Sequence, residues 1–136
     1  MKRLAVLLGM VALLGLGGLA GAYDDPPSIK KAMGQLHKGQ KAALPSIKAE
    51  LKSDSPDWKK VKDTSKIIVT LSESITDLEP PRGDKENYAK LSKAYFANAK
   101  GLNEAAEAED AAKAKAAVGK LFSTCKTCHE SHQAKK

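Results

Sequence analysis

Cys125-Lys126-Thr127-Cys128-His129 puts two thiols and an imidazole within five successive residues. Residues three apart on a helix share a side, so each of these thiols can add across one vinyl group of a haem. His129 comes one step further round, where a neutral imidazole can turn toward iron beneath the ring. The spacing therefore predicts one covalent haem c, thioether-bound through Cys125 and Cys128, with His129 as the proximal iron ligand. Scattering two Cys and three His at random would give this pattern on the order of once in several thousand chains. A thioredoxin-like exchange site wants a preceding strand and a helix N-terminus, whereas this pair falls late in a helix. The alternative without haem is a helical protein holding zinc through Cys125, Cys128, His129 and His132, or one closed by a disulfide.

The segments that must position this motif begin after a leader. Lys2 and Arg3 open an apolar stretch from Leu4 to Leu19, and Ala20-Gly21-Ala22 precedes Tyr23. A charged start, an apolar run and a small-x-small site read as a cleavable signal peptide over residues 1–22, which makes the protein exported and periplasmic. An uncleaved anchor is the alternative, although the run is short for a membrane span. Cleavage would leave one domain over residues 23–136 and lower the net charge from +7 to about +5. Aromatic residues make up only 4% of the chain. So little bulk, with so much Ala and Lys, predicts a thin side-chain core that a large buried cofactor would complete.

Four helical segments follow the lead-in. Ser28 caps the first, whose apolar positions Ile29, Met33, Leu36, Ala43 or Leu44, Ile47 and Leu51 repeat near 3.6, with a kink or break expected at Pro45. Ser55 is expected to cap the second, with Pro56 at its first position; Trp58, Val61, Ser65, Ile68, Leu71, Ile75 and Leu78 form its stripe. The run Ile67-Ile68-Val69 could pass for a strand, but Ile68 continues the helical stripe on both sides. Glu79-Pro80-Pro81-Arg82-Gly83-Asp84 is the strongest breaker. Asp84 then caps a third helix along Tyr88, Leu91, Tyr95 or Phe96, Ala99, Leu102 and Ala106. After a short link near residues 107–110, Ala114, Ala117 or Val118, Leu121 or Phe122, Cys125 and Cys128 or His129 mark the fourth. Short links make neighbours antiparallel. The predicted fold is all-α: an antiparallel up-down four-helix bundle with haem attached near the C-terminus of the last helix.

A C-terminal haem motif on the last of four helices, after a leader and a first helix bearing a Met, resembles the class II c-type cytochromes, cytochrome c′ and its low-spin relatives. The most specific parts are Cys125-Lys126-Thr127-Cys128-His129 and the stretch from Leu102 to Phe122 leading into it; Ile29-Lys30-Lys31-Ala32-Met33 is the weaker part. The resemblance implies that a residue of the first helix faces the open side of the haem, and Met33 falls there. A Met ligand would give a low-spin iron with a raised potential, suited to single-electron transfer. His37, at i+4 from Met33, could take its place as distal ligand. With neither bound, the iron would be five-coordinate and the pocket would resemble one that binds nitric oxide or carbon monoxide. Family members tend to carry Arg or Lys shortly after the haem His, and here the nearest such residues are Lys135 and Lys136.

The remaining features read as surface and packing. His132 is expected at the surface, and Trp58, Tyr88, Tyr95, Phe96 and Phe122 in the core or against the haem. Lysines spread over all four helices could attract a redox partner protein with an acidic surface and speed encounter. Nucleic-acid binding is disfavoured, and so is stable membrane insertion after cleavage. No nucleophile, base and orienting group form a set, so the protein is not expected to be an enzyme. A homodimer through the first two helices is what the resemblance suggests.

Overall fold

Aspartates and a serine start four of the five helices in the computed structural model, which describes residues 28–133 and 135; the signal-peptide reading of residues 1–22 lies outside the described residues. Ser28 caps α1 (Ile29–His37), accepting from the Lys31 N–H at 3.1 Å. Asp57 caps α3 (Trp58–Ser74), Asp84 caps α4 (Lys85–Glu107) and Asp110 caps α5 (Ala111–His132), each through the amide three residues on. Between them α2 (Ala43–Glu50) starts at Ala42 without a side-chain cap. These caps satisfy amides that a helix N-terminus leaves without partners.

Two boundaries differ from the sequence reading. The break in the first arm falls at residues 38–42, ahead of Pro45. Gly39 ends α1 in the left-handed region, at φ +88°, the conformation that a C-terminal Gly takes without a Cβ penalty. Pro45 sits in the first turn of α2, where its missing N–H has no intrahelical partner to lose. The second correction is the cap at Asp57 in place of Ser55. Ser53 Oγ instead accepts from the Ser55 amide at 3.2 Å, and Glu50 Oε1 from the Asp57 amide at 2.9 Å, which carries the turn two residues past the expected start.

Side-chain bonds fix the directions of the helices. Ser65 Oγ donates to Asn103 Oδ1 at 2.9 Å and Lys62 Nζ to Glu109 Oε1 at 2.8 Å, so the start of α3 meets the end of α4. Tyr88 Oη donates to the Ile75 carbonyl at 2.9 Å, joining the other ends of the same pair. Asn98 Nδ2 donates to Thr124 Oγ1 at 3.2 Å between α4 and α5. The result is the antiparallel four-helix bundle, with α1 and α2 as two pieces of its first arm. Ile67 lies exposed on α3 while Ile68 is fully buried, as helical spacing requires. Among the described residues no helix is long and apolar enough to cross a membrane.

Leu36, Leu44, Ile47, Val61, Ile68, Leu102 and Leu121 form the fully buried centre of the core, with Ala and Ser filling the closest approaches. α2 packs against α3 and α5, closing one half of the bundle. In the other half α1 packs on α2 and α3, and faces α4 and α5 across a cavity.

Candidate functional site

That cavity is about 880 Å³, within the size of cofactor sites, roughly 300–1,000 Å³. α1 contributes Ile29, Met33 and His37 to its wall, α4 contributes Leu91 and Tyr95, and α5 contributes Cys125, Cys128 and His129. Each arrives by helical spacing. Met33 and His37 are one turn apart, and Cys125 and Cys128 are three residues apart on the inward stripe of α5 below Leu121. The five residues expected at a haem (Met33, His37, Cys125, Cys128 and His129) therefore line one cavity, all of them half-buried.

The electrostatics of the walls favour neutral groups. Burial pushes the Cys125 thiol up to about 11, with the Tyr95 hydroxyl opposing and Cys128 adding to the rise; burial raises Cys128 as well. Both cysteines are free thiols. His37 is held below the ordinary imidazole range by burial first and by His129 second. The His37 and His129 rings lie 6.4 Å apart between centroids. His37 Nε2 lies 3.4 Å from Cys125 Sγ and 3.5 Å from the Tyr95 hydroxyl, and its ring meets Phe122 edge-on at 6.4 Å. Tyr95, 4% exposed, is raised out of the titratable range by burial and by Cys125.

These residues fit a covalent haem c. Two unpaired thiols open into a cavity with mainly apolar walls, an imidazole follows them on the same helix, and Lys30 and Lys38 stand at the rim. Zinc finds no such set. Among the described residues no three His, Cys, Asp or Glu side chains gather to hold a metal ion.

His132 corrects the expectation of a surface residue: it is 3% exposed. Its Nδ1 donates to the Arg82 carbonyl at 3.0 Å, its Nε2 lies 2.8 Å from Asn87 Oδ1, and its ring meets Tyr88 edge-on at 5.5 Å. The signal was present in the sequence. The inward stripe through Leu121, Cys125 and Cys128 or His129 reaches His132 at its next step. Arg82 was legible only as a loop residue; its guanidinium donates to the carbonyls of Glu130 and Gln133. Tyr95 was expected to pack, and its hydroxyl beside His37 and Cys125 is an addition that no spacing rule supplies.

The geometry agrees with what the chain resembles. The profile of the Cytochrome C′ family matches residues 29–133, from the first residue of α1 to just beyond α5. No curated protein shows a match. The solved structure of cytochrome c′ from Thermochromatium tepidum superposes with a TM-score of 0.59 at 21% identity, covering 68% of this chain and 84% of that one; this likeness speaks for the fold. With the family profile spanning all five helices and the haem motif, the chain belongs to the cytochrome c′ family.

Proposed function

We propose that this protein is a periplasmic single-electron carrier holding one haem c. The observation that supports it is the meeting of α1 and α5 across one cavity, which brings Met33 and His37 opposite the Cys125 to His129 segment. Cys125 and Cys128 would hold the ring as thioethers, and His129 would bind the iron. When bound, the haem supplies a one-electron couple at iron. The chain's part is to fix that couple in place. Met33 would be the iron's second protein ligand, with His37 as the alternative, and the apolar wall of Ile29 and Leu91 would keep water from the ring. The lowered proton affinity of His37 leaves its nitrogen free to bind.

Lys30 and Lys38 at the cavity rim give the mouth of the site a positive border. An acidic redox partner is drawn to such a border, and the encounter rate falls as salt rises.

A second reading has an observation of its own. His37 Nε2 is directed at Cys125 Sγ and the Tyr95 hydroxyl. If these partners retain it and Met33 stays a wall residue, one face of the iron is open to nitric oxide or carbon monoxide. Visible spectra of the oxidised and reduced protein separate the two. The carrier predicts a low-spin reduced spectrum that carbon monoxide leaves unchanged, and Met33→Ala, or else His37→Ala, abolishes it. A high-spin spectrum that shifts with the gas replaces the carrier by the gas binder.

A further inference from the structure

The last turn of α5 is gripped from outside by a loop and by α4. Arg82, between α3 and α4, donates from Nη2 to the Glu130 carbonyl at 2.8 Å and from Nε to the Gln133 carbonyl. The backbone carbonyl of the same Arg82 accepts from His132 Nδ1 at 3.0 Å, and Asn87 Oδ1 stands 2.8 Å from Nε2 of that ring. Side chain and main chain of one residue therefore hold the helix end from two directions. Gly83 permits the approach. It adopts φ +85°, and a Cβ there would come within 2.7 Å of both His132 Nδ1 and the Ser131 carbonyl oxygen.

A helix end is the place where such a grip has most to do. Its final carbonyls lack intrahelical partners and carry the negative end of the helix dipole. A guanidinium fork satisfies two of them at once and brings the complementary charge. His132, with both ring nitrogens engaged and its edge against Tyr88, has one orientation available. It lies three residues beyond His129, and both side chains border the same cavity. A last turn free to fray would carry that imidazole with it.

We propose that Arg82, Asn87 and His132 form a clasp that fixes the last turn of α5, making them positioning residues for the iron-binding imidazole of His129. This rests on the haem reading above. Partners one layer out from a metal ligand orient it, and losing them commonly weakens ligand binding about 10–100-fold.

The test uses the intact, haem-loaded protein with Arg82→Ala, Arg82→Lys, Asn87→Ala and His132→Ala, and with Val61→Ala at the opposite end of the bundle as a control for simple destabilisation. Two readouts follow the bond itself in a low-spin haem: the electron paramagnetic resonance band of the ferric iron, whose width reports the spread of imidazole orientations, and the reduction potential of the iron. The expected result is a broadened band and a raised potential for Arg82→Ala and His132→Ala, as a His129 bond weakened about tenfold would give. Asn87→Ala, which removes one bond and leaves the loop intact, gives a smaller change in the same direction, Arg82→Lys restores part of the effect, and Val61→Ala leaves both readouts unmoved. Variants that melt earlier yet keep the wild-type band and potential overturn the clasp while the haem reading stands. A wild-type protein that matures without covalent haem overturns both.

Discussion

Where α3 begins and α4 finishes, Val61, Leu102, Ala105, Ala106 and Ala114 are buried against one another, and Lys62–Glu109 and Lys66–Glu107 ion pairs close the outside. At the opposite end α1, α4 and α5 stand around about 880 Å³ of space, walled by half-buried thiols and imidazoles. The first end is stabilised by side chains alone, because alanines let the helices come close enough to exclude water. The second cannot be, since its walls do not reach each other. A chain with 4% aromatic content has this choice: narrow the bundle with small residues, or fill the gap with something that is not a side chain. Here each end takes one option.

Removing the anchor should separate the two ends most sharply. In a Cys125→Ser/Cys128→Ser double variant, covalent haem is lost altogether, and any pigment leaves on acid–acetone extraction while wild-type colour stays with the protein. The end built around Leu102 and Ala106 should keep its protection in amide hydrogen exchange, whereas α1 and the last turns of α5 lose theirs. Equal loss at both ends would show that the haem supports the whole bundle.

Truncating one leucine at each end gives the next largest effect. Leu102 is fully buried, so Leu102→Ala should cost about 2–5 kcal/mol in urea unfolding of the haem-loaded protein and leave the visible spectrum alone. Leu91 is half-buried on the cavity wall. Leu91→Ala should cost roughly 1–2 kcal/mol, below the range for a closed core, and shift the spectrum by altering the surroundings of the ring. A silent spectrum in Leu91→Ala would remove the cavity from consideration as the haem site.

How far the sequence reached follows the same division. Helix stripes were legible at the packed end because burial there depends on spacing alone: Val61, Ile68, Ala99, Leu102, Ala114 and Val118 all lie buried where the 3.6 period puts them. The haem motif was legible for a different reason, since C-x-x-C-H is local in sequence. What escaped was long-range and polar. His132 and Arg82 meet across about fifty positions of chain, and neither residue type announces a partner. Tyr95 beside His37 is equally remote. Pro45 is the conspicuous breaker of the first arm, yet the chain breaks at Gly39, because a proline in a helix's first turn disturbs nothing. Pro56 suits a first helical position, but the turn's own bonds, from Ser53 and Glu50, carry the cap on to Asp57.

Alkali offers a smaller, graded comparison. Tyr88, at the cavity end, has its phenol pushed up to about 12, by burial first and by the Cys128 thiol second. An unfolded tyrosine ionises near 10. The folded value is the higher, so this contribution to stability is complete below pH 10 and is lost as pH rises from 10 toward 12. Unfolding at several alkaline pH values should show that decline and a flatter one in Tyr88→Phe, which also loses the bond from Tyr88 Oη to the Ile75 carbonyl, about 1 kcal/mol. Once Cys128 is a thioether it carries no charge, and the second cause disappears. The loaded protein should then ionise at a slightly lower pH than the protein with free thiols, as read from tyrosinate absorbance.

The two ends also differ in how they turn, and there the smallest effect is expected. Gly39 and Gly83, both near the cavity, take positive φ as glycines, but the turn at the packed end puts Glu109 there, at φ +55°. Backbone bonds from Glu109 to Ala106 and from Asp110 to Ala105 hold it in place, a helix ending that a glycine would suit better. Glu109→Gly removes a left-handed penalty of about 1–2 kcal/mol. It gives back roughly 0.5–1 kcal/mol through the freer unfolded chain and loses a half-exposed ion pair with Lys62 worth at most about 1 kcal/mol. The terms nearly cancel, so stability in urea should move by less than about 0.5 kcal/mol in either direction. A loss well beyond that would mean the Lys62–Glu109 pair, more than the small side chains beneath it, holds the packed end together; Lys62→Met, which keeps the side chain's length without the charge, would then reproduce the loss.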